Sequence, residues 1–170
     1  MEKLKNRFGL FGLVLIAAMA TGCLLVSATF IVVAKFSFTT FDQHYHYTVD
    51  VTGESDWKDH KDAIDFIDAV GVEFDFTNNS GSPVTFDVYI DDFGAGDSPG
   101  ASATKIINGY MAPVGVSHIS YAQSLSFLTG LSRLKALAKE GRFEYYGEAS
   151  VGGSFRVDAG KVVITFTASK

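Results

Sequence analysis

Between Arg7 and Lys35 the chain carries no charged residue, and the 27 residues from Phe8 to Ala34 are mostly Leu, Val, Ile, Ala, Phe and Gly. A hydrocarbon core about 30 Å thick needs roughly 20 apolar residues as helix, so this run is long enough to span one with some tilt. Lys3, Lys5 and Arg7 precede it, which predicts a cytoplasmic N-terminus and a chain that lies outside the cytoplasmic membrane beyond Lys35. The expected organisation is a signal-anchor over 1–35, meeting the lipid bilayer through residues 8–34, and an extracytoplasmic domain over 36–170. Two other fates of the leader are legible. Ala18-Met19-Ala20 and Val26-Ser27-Ala28 offer the small residues of a signal-peptidase site. Ala20-Thr21-Gly22-Cys23 looks like an altered lipobox, which makes Cys23 a lipidation candidate, although Leu24-Leu25-Val26 continues the apolar run.

Charge divides along the same line. Residues 36–170 hold 10 basic against 18 acidic groups, a net of −8, while the leader holds four basic groups against Glu2 alone. An acidic domain of this kind argues against a nucleic-acid partner and is repelled by anionic headgroups. A single cysteine excludes a disulfide framework, and 47% hydrophobic residues exclude a disordered chain.

Downstream of Lys35 the dominant period is two, the mark of half-buried strands. Tyr45, Tyr47, Val49 and Val51 share one face, with His44, His46, Thr48 and Asp50 on the other. Ile64, Phe66, Val70, Val72, Phe74 and Phe76 form a second inward row, interrupted at Asp68, where a bulge is expected. Val84, Phe86, Val88 and Ile90 form a third, and Val162, Ile164 and Phe166 a fourth. Asn78-Asn79-Ser80-Gly81-Ser82-Pro83 reads as a turn, Asn108-Gly109 as a hairpin, Gly152-Gly153 and Ala159-Gly160 as reversals, and Asp91 to Gly100 as a loop. Leu125, Leu128, Leu131, Leu134 and Leu137 recur every three residues and predict one amphipathic helix, closed by Gly141. The fold class is therefore mainly β: an antiparallel sandwich of about seven strands, immunoglobulin- or fibronectin-III-like, with a single inserted helix.

The order of features adds a resemblance. An early strand ends in an Asn-rich turn and leads into Pro83-Val84-Thr85-Phe86-Asp87-Val88-Tyr89-Ile90. Ser124-Leu125-Ser126-Phe127-Leu128 and the leucine helix follow, then Phe143-Glu144-Tyr145-Tyr146-Gly147-Glu148-Ala149 and a final strand. Over roughly residues 62–168 this resembles the late-embryogenesis-abundant group 2, or WHy, domain family in its membrane-anchored microbial form. Asn78-Asn79-Ser80 stands where that family usually has Asn-Pro-Asn. The resemblance implies a fibronectin-III-like sandwich and a non-enzymatic, stress-associated or structural role, with no catalytic residue to carry over.

The residues that could bear chemistry are few. His44 and His46 lie two apart on one strand face and could chelate a metal with His60 or Asp50 as a third ligand. Asp91, Asp92 and Asp97 could bind calcium, although their spacing departs from the EF-hand pattern. The more ordinary reading of both groups is a solvated polar face. His118 has no visible triad partner, Glu144 and Glu148 point to one side of a strand, and Asn78-Asn79-Ser80 is a glycosylation sequon on Asn78. No cofactor motif and no nucleophile motif is present, so the chain reads as a non-enzyme. The leading expectation is a membrane-tethered module that binds or shields an unknown protein partner. The alternative is a secreted, self-associating cell-surface fibre subunit that donates residues 29–38 as a strand after leader cleavage.

Overall fold

Alternation of apolar and polar side chains builds two four-stranded antiparallel sheets, each burying one face against the other. The computed structural model describes residues 27–169. In chain order the elements are β1 (Ser27–Thr40), β2 (His44–Asp50), α1 (Ser55–His60), a 3-10 turn (Lys61–Ala63), β3 (Ile64–Asn78), β4 (Val84–Asp92) and β5 (Thr104–Ala112). They continue with β6 (Gly115–Ile119), α2 (Tyr121–Phe127), α3 (Leu131–Glu140), β7 (Arg142–Ala149) and β8 (Phe155–Ser169). The first sheet runs β1-β8-β3-β6 and the second β2-β7-β4-β5. Every connection crosses between the sheets except β4–β5, which is a hairpin within one. The mainly-β sandwich is thus present, but its strand order is that of an eight-stranded jelly roll. It differs from the immunoglobulin order, in which one sheet holds the first, second, fourth and fifth strands. The immunoglobulin- or fibronectin-III-like expectation is corrected accordingly.

The largest local correction concerns the leader. Ser27–Ala34, read as the end of the apolar span, is strand: Thr29 pairs with Thr167, Ile31 with Thr165 and Val33 with Val163. Phe30, Val32, Ala34, Phe36 and Phe38 do turn inward together, and Val32 is 3% exposed. The β-branched run Thr29-Phe30-Ile31-Val32-Val33 favours a pleated surface. Its outward residues Ile31 and Val33 are apolar too, so the same run also fits the apolar span of a membrane helix. The domain boundary placed at Lys35 therefore falls inside β1. No helix among the described residues is long and apolar enough to cross a membrane. The remainder of the 8–34 span, with Cys23, lies outside the described residues.

Bulges replace two expected reversals. Phe86 pairs with Tyr110 and Val88 with Ile107, so Asn108-Gly109 is an insertion inside β5, with Gly109 at φ 67°. Ala159, at φ 50°, and Gly160 form a bulge in β8 that both neighbouring strands accommodate. The pairing of β3 with β8 shifts between Ile67 and Ala69, where Asp68 was expected to bulge. A second shift, between Ile64 and Phe66, turns Phe66 outward to 55% exposure, against the expected inward row.

The expected single helix is two helices, and α1 adds a third. The leucine period continues across Leu128-Thr129-Gly130, but Gly130 is left-handed at φ 59° and separates α2 from α3. Ser120 and Gln123 form a capping box that starts α2. Gly141, left-handed at φ 79°, closes α3 as expected. These helices cover sheet edges. Where β6 stops short of β3, Val72 N–H donates to Ser124 Oγ, and Lys135 and Lys139 donate to the carbonyls of Asp68 and Asp65. Thr129 N–H donates to the Ile106 carbonyl on the β5 edge. Edge amides and carbonyls are thereby withheld from pairing with another chain.

The main core lies between the sheets around Ile90, Leu137, Ile164 and Phe166, all 0% exposed. Each such side chain contributes about 1.5–3 kcal/mol by leaving water. Trp57 of α1 plugs one end, edge-on to Phe166 at 5.8 Å. A smaller cluster of Phe76, Val84, Ala112, Phe155 and Val157 fills the other end.

Candidate functional site

Two places on this scaffold concentrate functional groups: the outer face of the second sheet and the inter-sheet cleft. On the outer face, β2, β7 and β4 run side by side, so register sets who meets whom. His46 opposes Tyr146, which opposes Tyr89; Thr48 opposes Glu144, which opposes Asp91. The segment after β4 folds back over this face. Arg133 bonds Asp92 at 2.7 Å, and the Arg142 guanidinium lies 4.3 Å from the Phe93 ring centre. Glu144, 3% exposed, accepts from His46 Nε2 at 2.7 Å, Thr48 Oγ1 at 2.7 Å and Gly94 N–H at 2.8 Å. Tyr146 Oη donates to the Gly96 carbonyl at 2.8 Å, and His46 stacks on its ring. Burial alone would raise the Glu144 carboxyl, yet its three donors outweigh burial and hold it below the ordinary range.

The structure thus gathers His46, Asp91 and Asp97 around Glu144, but as a latch on the loop. Asp91 is 0% exposed in β4, a correction to the solvated loop that was expected. Its carboxylate accepts from Ser102 Oγ at 3.0 Å and from Asp92 N–H at 2.9 Å. Asp97 reaches His46 at 3.5 Å with its side chain fully in solvent, and His44 meets Glu148 at 3.5 Å. His60 is elsewhere, its ring on Phe30 and its Nδ1 on the Asp56 carbonyl. Among the described residues no three His, Cys, Asp or Glu side chains converge as metal ligands. Sequence reasoning missed Glu144 as the hub, because only the register of β2 and β4 reveals its partners.

Two further expectations change. His118, read as alone, bonds Asp75 at 2.8 Å across the β3–β6 pair, while Ser117 faces the other way with a buried hydroxyl that has no hydrogen-bond partner among the described residues. Asn78 is 0% exposed; its Nδ2 donates to the carbonyls of Ser82 and Ala112, and its Oδ1 accepts from Ser80. Both amide hydrogens are committed inside the fold, so a glycan on Asn78 does not fit the folded domain.

The second place is a cleft between the sheets, about 60 Å³ in volume. One wall carries Phe36, Phe38, Phe74 and Phe76, the other Tyr45, Phe86, Tyr110 and Tyr145. Its cause is in β7, whose inward row Phe143, Tyr145, Gly147, Ala149 shrinks toward the end. Gly147 sits between Tyr45 and Val88, and Ala149 beside Phe86, so space opens where larger residues would meet the opposite sheet. Thr40 at the end of β1, with Asp42 and Gln43 of the β1–β2 connection, also lines the cleft. Burial pushes the Tyr45 phenol up to about 12 and Tyr145 higher still, so both stay protonated.

No protein-family model matches the chain, and no curated protein matches it. Among solved structures, one of the Gx strain of infectious bursal disease virus is similar at 12% identity and a TM-score of 0.35, covering 85% of this chain and 37% of that one. One of Desmodium yellow mottle tymovirus is similar at 10% identity and a TM-score of 0.29, covering 86% of this chain and 88% of that one. Likenesses this distant carry no argument, and the jelly-roll assignment rests on the chain's own strand pairing.

Proposed function

We propose that the chain is a non-enzymatic, membrane-tethered module whose jelly roll stands outside the cytoplasm and binds or shields other molecules. One observation carries this reading. The uncharged, mostly apolar residues 8–26, behind Lys3, Lys5 and Arg7, approach the roughly 20 that a membrane helix requires, and in sequence they precede the described strand β1. The acidic balance of the domain supports an outward, soluble face. The internal pairing of Glu144, Asp91 and His46 supports a structural use of groups that could otherwise do chemistry. A stress-associated role is what the resemblance to the late-embryogenesis-abundant group 2 family implies, although the fibronectin-III-like order it also implies is not the strand order of this chain.

A second reading has its own support. Residues 29–38 lie wholly within β1, a terminal edge strand with a committed inward face, as a strand exchanged between copies of a fibre would. Intact mass and phase partition of the protein from its native membrane separate the two. A mass near 18.3 kDa in the detergent phase supports the tether. A mass beginning at Cys23 with acyl chains supports the tether with another anchor. A mass lacking residues 1–28, in high-molecular-weight material, refutes the tether and supports the fibre.

A further inference from the structure

The inter-sheet cleft has a use that neither membrane attachment nor strand exchange explains. Protein interiors are packed to crystal-like density, and voids larger than a water molecule are few. Here a space of about 60 Å³ persists in the middle of an aromatic-rich core. One water needs about 10–15 Å³ of such space, and a void lined by apolar groups stays dry and takes up apolar solutes. The packing around it is tight. Phe76 meets Phe86 edge-on at 4.7 Å and Phe86 meets Phe155 edge-on at 5.2 Å, so these walls are braced by one another. Collapse of Phe86 or Phe76 into the space would break those contacts.

We propose that the cleft binds a small uncharged molecule, inserting one aromatic ring or a short alkyl group past the β1–β2 connection. Three features set the ligand class. The walls are aromatic, which suits a ring or an alkyl group. Asp42 lies at the polar margin of the cleft and the domain is acidic, so an anion is repelled. Tyr45 and Tyr145 line the space as neutral phenols, which can donate a hydrogen bond to an uncharged oxygen. Phe38 and Tyr45 stack across the two sheets beside this margin and are the side chains that must part for entry. The inference is independent of the tether, since neither a retained nor a cleaved leader alters these residues.

The test uses the full chain in lipid nanodiscs, titrated separately with toluene, benzyl alcohol and benzoate. Binding is followed by the methyl resonances of Ile107 and Ile119, both of which line the cleft. Saturable shifts with toluene and benzyl alcohol, and none with benzoate, are expected. Gly147→Val and Ala149→Leu each fill the space, so each should weaken binding at least tenfold without lowering the thermal midpoint. If one variant fails to fold, the other decides. Absence of saturable shifts in the unmodified protein, equal binding of benzoate, or undiminished binding in a folded filling variant would each overturn the assignment. The intact-mass experiment tests the tether separately, so the two can fail independently.

Discussion

A single added methyl group should stabilise the domain at Gly147 and destabilise it at Gly160, because β7 and β8 offer it different surroundings. At Gly147 the nearest atom to a new Cβ is the Tyr45 Cβ, at 3.9 Å, an ordinary contact, and the backbone is not left-handed. Removing a glycine from a strand that alanine fits gains about 0.4–1 kcal/mol through the unfolded state. Half-burying the methyl adds about 0.4 kcal/mol, half of the usual value for one carbon. The sum for Gly147→Ala is roughly 1 kcal/mol of stabilisation, or about 3–5 °C in Tm for a domain of this size. At Gly160 the new Cβ would meet Phe36 ring atoms at 2.6 and 2.7 Å. That ring is held among Tyr47, Phe74 and Tyr145, with centroids at 5.6, 6.4 and 6.4 Å. Gly160→Ala therefore overpacks the core and costs about 1–3 kcal/mol. Urea unfolding of both variants reads the two signs as opposite shifts of midpoint at unchanged slope. A lowered midpoint for Gly147→Ala would show that the space beside Tyr45 is not there. A neutral Gly160→Ala would show that Phe36 is free to swing away, and the account of a braced aromatic wall would fail.

Glu144→Gln keeps the shape of the latch but loses its charge-assisted bonds, so a loss of about 1–2 kcal/mol is expected, together with faster hydrogen exchange at the Gly94 amide; unchanged exchange would refute the latch. Side-chain donors lower the carboxyls of Asp50, through Thr52, and Asp87, through Lys105, and the donors to Glu144 lower it too. Folded-state values depressed in this way add stability that is present above the ordinary carboxylate range of about 4 and lost as pH falls through the folded values, so the urea midpoint should hold from neutral pH to about 5 and drop below 4. Asn78→Ala removes an amide that bridges β3, the following turn and β5, and should cost about 1–3 kcal/mol, chiefly by taking the Asn78 donor from the buried Ala112 carbonyl, measurable as a lowered Tm. Ile31→Lys, at a side chain 58% exposed, should shift stability by less than about 0.5 kcal/mol, whereas Val32→Lys, at 3% exposed, should prevent folding, as circular dichroism would register.

How much of this was legible in the sequence depends on whether two faces of a segment differ in polarity. Where Tyr47, Val49 and Val51 alternate with His46, Thr48 and Asp50, the strand and its inward face could be read directly, and both are present. Where Ile31 and Val33 make the outward face as apolar as the inward one, the same residues satisfied the template of a membrane helix, and only the pairing with β8 distinguishes the two. Leucines at intervals of three carried the helical pattern across Gly130, because periodicity counts side chains and not backbone handedness. Strand order was out of reach for a different reason. A jelly roll pairs its first strand with its last and its second with its seventh, and apart from β4–β5 no turn sequence encodes those partners. The outer-face latch and the inter-sheet cleft are both products of that long-range register. Glu144 and Asp91 become buried neighbours only because β7 lies beside β4. Gly147 and Ala149 become a space only because the opposite sheet brings aromatic rings over them. The small residues were visible in the inward row of β7 all along, but a small residue in a strand is a bulge, a close approach or a cavity according to what faces it. In this chain Gly160 is the close approach, under Phe36, and Gly147 is the cavity, which is why the same substitution at the two positions carries opposite signs.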